Sequence, residues 1–369
     1  MPRRIHGCID TKIFMSVFEN RNYQEQLKDL MSFLPDKDKS ILVTGASGLI
    51  GSCLTDCLMY ANIYEGRHFE VYVLGRNEEK MRKRFDYAKE RNDLHFIVAD
   101  VSLPLPNNVD FDYVIHAASN ADPKSYALFP SETLLTNILG TKSVLDYAKN
   151  HKNCRVLLTS TFEVYGDAGK NGPLTEECVG AIDFHIMRNC YPASKICAEL
   201  LCQGYGEQFG IDYVIGRLCG IYGPTMSLND SKAQAQFIKN AVCGEDIVMK
   251  SKGEQMRSYC YVIDAVSALL TILQKGKSKE AYNISDEKSI ISIADFAKCV
   301  AEVGGVGIRF DLPDEVECMG FSKPVDVMMD NSKLKLLGWK SKYCCKQSIE
   351  SIINILKNGT DRPKKTSVA

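Results

Sequence analysis

The stretch "SILVTGASGLIGSCLTDCL", residues 40–58, constrains this chain more than any other. A short β-branched run ends at Thr44, and glycines follow at Gly45, Gly48 and Gly51. Apolar residues then recur at helical spacing, with Leu49 and Ile50, Cys53 and Leu54, Cys57 and Leu58. In a strand that turns directly into a helix, the first glycine permits the tight turn and the second lets the backbone approach a pyrophosphate. The third allows close packing of helix on strand. The helix N-terminus adds N–H groups and the positive end of its dipole. Gly45, Ser47, Gly48, Leu49, Ile50 and Gly51 are therefore expected to hold a dinucleotide. A glycine triplet alone is a weak signal; its place between strand and helix is what gives it weight.

The same alternation continues. "FEVYVLG", "LHFIVAD", "DYVIHAA", "CRVLLTS" and "DYVIGRL" read as strands, with "TLLTNILGTKSVLDYAK" and "CYPASKICAELL" as helices among them. Strands apolar on both faces that alternate with helices predict an α/β fold with a parallel sheet covered on both sides. Beyond residue 222 the alternation loosens into helices such as "QAQFIKNAVCG" and "SIADFAKCVAEVG", separated by short pieces such as "IVMK" and "AYNIS". The reading is an N-terminal extension at 1–38 with an amphipathic helix, a dinucleotide-binding unit at 39–221, a smaller substrate-binding lobe at 222–357, and a flexible tail at 358–369. At 369 residues the chain is long enough for that division.

A net charge of −1 gives no reason to expect nucleic acid or membrane as a partner, and no run reaches ~18 apolar residues. The 15 cysteines contain no Cys-x-x-Cys pair, and the six histidines form no ligand-spaced cluster. No metal site is expected, and the cysteine usage suits a reducing cytoplasm.

Further positions follow from the expected dinucleotide. "VYVLGRNEEK" puts Arg76, rather than an acid, where the ribose 2′-hydroxyl would lie. It suits a 2′-phosphate, an adenine stack or solvent, so NAD and NADP both stay open, with NADP slightly favoured. Asp100, with Val101 beside it, should lie under the adenine, and Ala117 and Ala118 in "HAAS" are small where the chain must pass close to the cofactor.

Tyr191 and Lys195 in "YPASK" lie one helical turn apart, on one face. With 17 tyrosines, roughly one Tyr-x-x-x-Lys arises here by chance. Beside a dinucleotide the pair gains meaning. A lysine ammonium and a positive nicotinamide ring favour phenolate, making Tyr191 a general base that takes a hydroxyl proton while hydride leaves the same carbon. Lys195 would also bind the nicotinamide ribose. Thr161 in "LLTSTFEVYG" can donate to the reacting oxygen or merely cap backbone. Glu163, two residues on, suits proton transfer at a neighbouring carbon, or is a solvated loop acid.

"TGASGLIG", "HAAS", "TNILGT" with Asn137, "STFEVYG", "YPASK", "RLCGIYGP" and "RSYCYVIDAV" occur in the order of the extended short-chain dehydrogenases/reductases. Over residues 39–357 the chain resembles their nucleotide-sugar epimerase/dehydratase/decarboxylase branch. The resemblance implies a Rossmann-like doubly wound parallel sheet, a smaller C-terminal substrate lobe, tightly held NAD(P) contacted also by Asn137, and a nucleotide-diphosphate sugar as substrate. It further implies that Arg257 contacts the substrate diphosphate, and that a homodimer forms through the helices beginning near Thr136 and Tyr191.

Members of this branch begin by oxidising the sugar C4 hydroxyl. Dehydratases then use a Thr-Asp-Glu pattern, and decarboxylases typically Thr-Ser-Glu. Here the triplet is Thr161-Phe162-Glu163. Phenylalanine cannot protonate a departing C6 hydroxyl, which counts against 4,6-dehydration, whereas loss of carbon dioxide from a β-keto acid needs no such donor. UDP-glucuronate decarboxylation therefore ranks narrowly above 4-epimerisation, with 4,6-dehydration third. Two further departures are Gly220, where many members carry Asn, and "FSKPVDV", where decarboxylases carry an arginine near "RQPDI" and Lys323 is a loose substitute. A different class, an NADP-dependent carbonyl reductase or a non-catalytic NAD(P) sensor, remains as the alternative. An activated phenol is of no use to a sensor.

Overall fold

The strand expected at "SILVTG" is β1 (Ser40–Thr44). Ile41 and Val43 join one apolar cluster and Leu42 joins another across the strand. Side chains alternate along a strand, so one that is dry on both faces must lie in a sheet with helices on either side. The computed structural model describes residues 17–169, 172–227, 229–311 and 326–358.

Within them β1, β2 (Glu70–Gly75), β3 (Leu94–Val98), β4 (Tyr113–His116), β5 (Arg155–Thr161), β6 (Asp212–Leu218) and β10 (Glu280–Ile284) make one seven-stranded sheet. Every pairing in it is parallel. The order is β10-β6-β5-β4-β1-β2-β3, so the winding reverses between β1 and β4. Open α/β sheets bind ligands outside the carboxyl ends of their strands at such a reversal. Helices α2 (Leu49–Tyr64) and α8 (Val262–Lys275) cover one face, and α5 (Pro130–Asn150) with α6 (Cys190–Phe209) the other. This is the Rossmann-like doubly wound sheet the resemblance implies.

β7 (Gly220–Tyr222), β9 (Met256–Tyr261) and β11 (Ile290–Ser292) form a small sheet, and β8 (Ile247–Met249) with β12 (Ile308–Phe310) another. Together with α7 (Ala233–Cys243), α9 (Ile293–Gly304) and the last helix, Cys345–Asn358, they build a smaller lobe. "AYNIS" does not belong to that lobe. It is β10, which pairs with β6 from Glu280 opposite Val214 to Ile284 opposite Leu218. The C-terminal half thus completes the main sheet as well as forming the lobe.

The helix in the N-terminal extension is α1 (Arg21–Asp29), capped by Asn20, which accepts the Tyr23 N–H at 3.2 Å. It packs on α2, where Tyr23 Oη donates to Asp56 at 3.0 Å. Asp56 is fully buried and also accepts from Tyr87 at 2.7 Å and from Arg84 Nη1 at 3.1 Å. Arg84 ends α3 (Glu78–Arg84), so one carboxylate ties the extension to two helices of the main sheet. Residues 1–16, the segment with Lys323, and the tail from residue 359 lie outside the described residues. Among the described residues no helix is long and apolar enough to cross a membrane, no cluster could hold a metal ion, and all 13 cysteines are free.

Candidate active site

A cleft of about 640 Å³ opens at the carboxyl ends of β1, β4, β5 and β6, between the main sheet and the smaller lobe. Its floor is the glycine turn. Gly45 has φ +66°, a left-handed conformation that only glycine adopts without cost. A Cβ there would lie 2.6 Å from Ala118 Cα, and one on Gly51 would lie 2.5 Å from the Gly45 carbonyl oxygen. Gly48 is the N-cap of α2 and makes no side-chain cap, which leaves the first-turn amides open where Leu49, Ile50 and Gly51 line the cleft. Close backbone approach and unsatisfied helix N–H groups suit a pyrophosphate. These residues fit a dinucleotide, and Gly45, Gly48, Leu49, Ile50, Gly51 and Ala117 all line the cleft.

A second layer braces the turn. Thr44 Oγ1 lies 2.8 Å from His116 Nδ1 and accepts the Ala118 N–H at 3.2 Å. Burial, and the nearby Lys195, lower the His116 pKa to about 3, so this imidazole is neutral. Ser47 sits in the turn outside the cleft lining, as do Arg76, Asp100, Val101, Ala118 and Asn137. Arg76 is exposed and lies 3.8 Å from the Asp100 carboxylate, which in turn accepts from Ser102. Val101 is buried against Gly140 of α5. Asn137 donates to Ser194 Oγ of α6 at 2.8 Å, and its own Oδ1 is buried with no partner among the described residues.

Thr161, Glu163, Tyr191, Lys195 and Arg257 all line the same cleft. Thr161 ends β5 and accepts the Glu163 N–H at 3.3 Å, which turns the chain so that Glu163 enters the cleft. Tyr191 lies in the first turn of α6, buried, with a hydrogen bond to Thr161. Its proton affinity stands well above that of a free phenol. Burial is the main cause, followed by the Glu163 carboxylate, while the Thr161 hydrogen bond pulls the other way.

The Lys195 ammonium, expected to lower the phenol's pKa together with a nicotinamide ring, is not among the groups that shift it. The buried Lys195 Nζ donates to the Thr159 carbonyl at 2.9 Å, which directs its charge to the backbone. Burial lowers the Lys195 pKa to about 8, with Glu199 opposing that shift. Glu199 itself is engaged by Ser160 at 2.5 Å and by Arg217 at 2.7 Å.

Arg188 and Tyr126 were not singled out in the sequence. Arg188 Nη2 donates to Glu163 Oε2 at 3.2 Å and to Tyr126 Oη at 3.3 Å, and its guanidinium lies 5.4 Å from the Tyr126 ring centroid. The Tyr126 and Tyr191 rings stack with centroids 5.2 Å apart. Glu163 is therefore not a solvated loop acid. Burial raises its pKa, and Arg188 restrains the rise, followed by Lys232 and Arg257. Arg188 lies three residues before Tyr191 in "MRNCY", a spacing that carries no signal for a partner 25 residues upstream.

Residues 41–285 match the model of the NAD dependent epimerase/dehydratase family. The chain is 33% identical over 312 residues to UDP-glucuronic acid decarboxylase 1 of Xenopus tropicalis, covering 84% of this chain and 70% of that protein. It is 33% identical over 310 residues to UDP-glucuronic acid decarboxylase 6 of Arabidopsis thaliana, covering 84% and 86%. Among solved structures, UDP-glucuronic acid 4-epimerase from Bacillus cereus in complex with UDP-glucuronic acid and NAD shares the fold. Its TM-score is 0.69 at 24% identity, over 86% of this chain and 99% of that one. Sequence match and fold agree, and the chain belongs to the NAD-dependent epimerase/dehydratase family of enzymes.

Proposed function

We propose that the protein is an NAD-dependent enzyme that decarboxylates UDP-glucuronate through a transient 4-keto sugar. The observation that carries this reading is the convergence of Tyr191, Thr161, Glu163 and Arg188 at one end of a cleft whose other end is the glycine cradle. The similarity to two UDP-glucuronic acid decarboxylases over 84% of the chain supports it.

When bound, the nicotinamide would take the C4 hydride and give it back to C4 after carbon dioxide has left, and its oxidised form would place a positive charge beside the phenol. Tyr191 exchanges a proton with the sugar O4, which Thr161 orients by a hydrogen bond. Once C4 is a ketone, the C6 carboxylate is β to it. The C5–C6 bond then breaks, its electron pair passes into the C4 enolate, and carbon dioxide leaves. Glu163, with its raised proton affinity, returns a proton to C5. Simple 4-epimerisation has no use for that acid. Phe162 also lines the cleft and adds apolar wall without offering a proton, which fits a step that needs no leaving-group acid.

Gly45, Gly48 and Gly51 would hold the pyrophosphate, Lys195 the nicotinamide ribose and Arg257 the substrate diphosphate. The pairing of two chains through α5 and α6 belongs to the same reading. Leu135 and Leu139 on α5 and Leu200 on α6 are 55%, 39% and 57% exposed, a cost that a homodimer would remove. The test is incubation of the purified protein with UDP-glucuronate and, separately, UDP-glucose. Carbon dioxide and a UDP-pentose from the first support the proposal; a galacto product of unchanged mass instead refutes it.

A further inference from the structure

Besides Lys80 and Lys195, whose Nζ donates to the Thr159 carbonyl, the cleft is lined by three basic side chains: Arg188, Lys232 and Arg257. Lys232 is 3.5 Å from Asp230, and Arg257 lies on β9 in the smaller lobe, its pKa lowered by burial. Arg188 is the one ion-paired with Glu163, and it touches the Tyr126 ring that stacks on Tyr191. Its side chain is 35% exposed. Both of its hydrogen bonds come from Nη2, so among the described residues its Nε and Nη1 make none. Nη2 belongs to both bidentate edges of the guanidinium and is occupied, so what Arg188 offers in the cleft lining is single N–H donors on Nε and Nη1, each able to give one charge-assisted hydrogen bond to a carboxylate oxygen.

On the proposed function, which this inference rests on, the substrate's C6 carboxylate is two bonds from the C4 whose oxygen meets Tyr191. A carboxylate arriving there comes close to the buried Glu163, and two carboxylates without a cation between them repel. We propose that Arg188 is the receptor for the substrate carboxylate, taking one of its oxygens on an Nε or Nη1 N–H of a guanidinium that Tyr126 and Glu163 hold in place. Arg188 thereby discriminates uronates from neutral sugars. The same contact draws positive charge away from Glu163, which favours its protonated form at the moment an acid is needed.

The test is calorimetric titration of NAD-loaded protein with UDP-glucuronate and with UDP-xylose, which lacks only the carboxyl group. Wild type, Arg188→Met and Glu163→Gln are compared, each with Tyr191→Phe added so that UDP-glucuronate is bound without being turned over. Arg188→Met should weaken UDP-glucuronate binding about 10- to 100-fold, the range of a charge-assisted hydrogen bond. Its binding of UDP-xylose should stay within about threefold. Glu163→Gln should bind UDP-glucuronate at least as tightly as wild type, since it removes a competing carboxylate and keeps Arg188. Equal losses for both ligands in Arg188→Met, or no loss for either, overturn the inference. So does a Glu163→Gln variant that loses UDP-glucuronate as Arg188→Met does, because Arg188 would then act only through Glu163. If wild type binds UDP-xylose but not UDP-glucuronate, the decarboxylase reading itself fails, and this inference with it.

Discussion

The Tyr191 ring lies nearly parallel to that of Tyr126, with centroids 5.2 Å and planes 19° apart. This stack joins Tyr191 to an ion pair, because Arg188 sits against the same Tyr126 ring and reaches Glu163 with its Nη2. An aromatic pair of this kind contributes on the order of 1 kcal/mol beyond its buried area. Its larger effect here is to limit where the Tyr191 hydroxyl can point.

Tyr191→Phe keeps that stack and removes only the hydroxyl. Turnover of UDP-glucuronate should fall about 10²- to 10⁴-fold, the usual worth of a positioned acid–base group. Melting temperature and bound nicotinamide, measured by release from denatured protein, should stay near wild type. Activity within a few-fold of wild type would show that another group moves the O4 proton.

Gly45→Ala tests the cradle. The φ of +66° costs a side chain about 1–2 kcal/mol, and the new Cβ meets Ala118 Cα at 2.6 Å. Loss of bound cofactor and a lower melting temperature are expected together. A variant that keeps its full complement of nicotinamide would refute the role of this turn.

His116 makes stability depend on pH. Its pKa falls from 6.5 to about 3 on folding, because burial disfavours the imidazolium. Between those values the unfolded chain binds a proton that the native protein refuses, so acid favours unfolding. The stability this histidine contributes is complete above pH 6.5 and is lost as pH falls toward 3, by on the order of a few kcal/mol. His116→Gln should flatten the acid limb of the urea midpoint plotted against pH. Parallel limbs for the two proteins would contradict this.

Asp56→Ala leaves Arg84 buried without its carboxylate and takes the acceptor from Tyr23 and Tyr87. Removing one partner of a buried pair costs about 3–5 kcal/mol, whereas an exposed i,i+4 pair such as Arg82–Glu78 is worth roughly 0.5 kcal/mol or less. Urea titration should therefore show a large loss for Asp56→Ala and almost none for Glu78→Gln. Similar midpoints would mean that the N-terminal helix is not anchored through this carboxylate.

What could be read in the sequence follows the range of each physical signal. β1, its glycine turn and α2 are local: periodicity and steric need sit within 25 residues, and the structure has them where expected. Tyr191 and Lys195 share a helix face, so their proximity was legible too, but where the amine points was not. It bonds the Thr159 carbonyl of a strand 36 residues away. The Arg188–Glu163 pair and the entry of β10 into the main sheet depend on how separate elements dock, which no spacing encodes. Arg76 behaves likewise: its nearness to Asp100 arises from strand order, as β2 and β3 end side by side.

The most direct test is to run the reaction on UDP-glucuronate in deuterium oxide and examine the product by nuclear magnetic resonance and mass. Passage through a 4-keto acid that loses its carboxyl group predicts a UDP-pentose carrying one deuterium at C5, with no net change in nicotinamide oxidation state. A six-carbon product without deuterium, or a pentose without deuterium at C5, would contradict it.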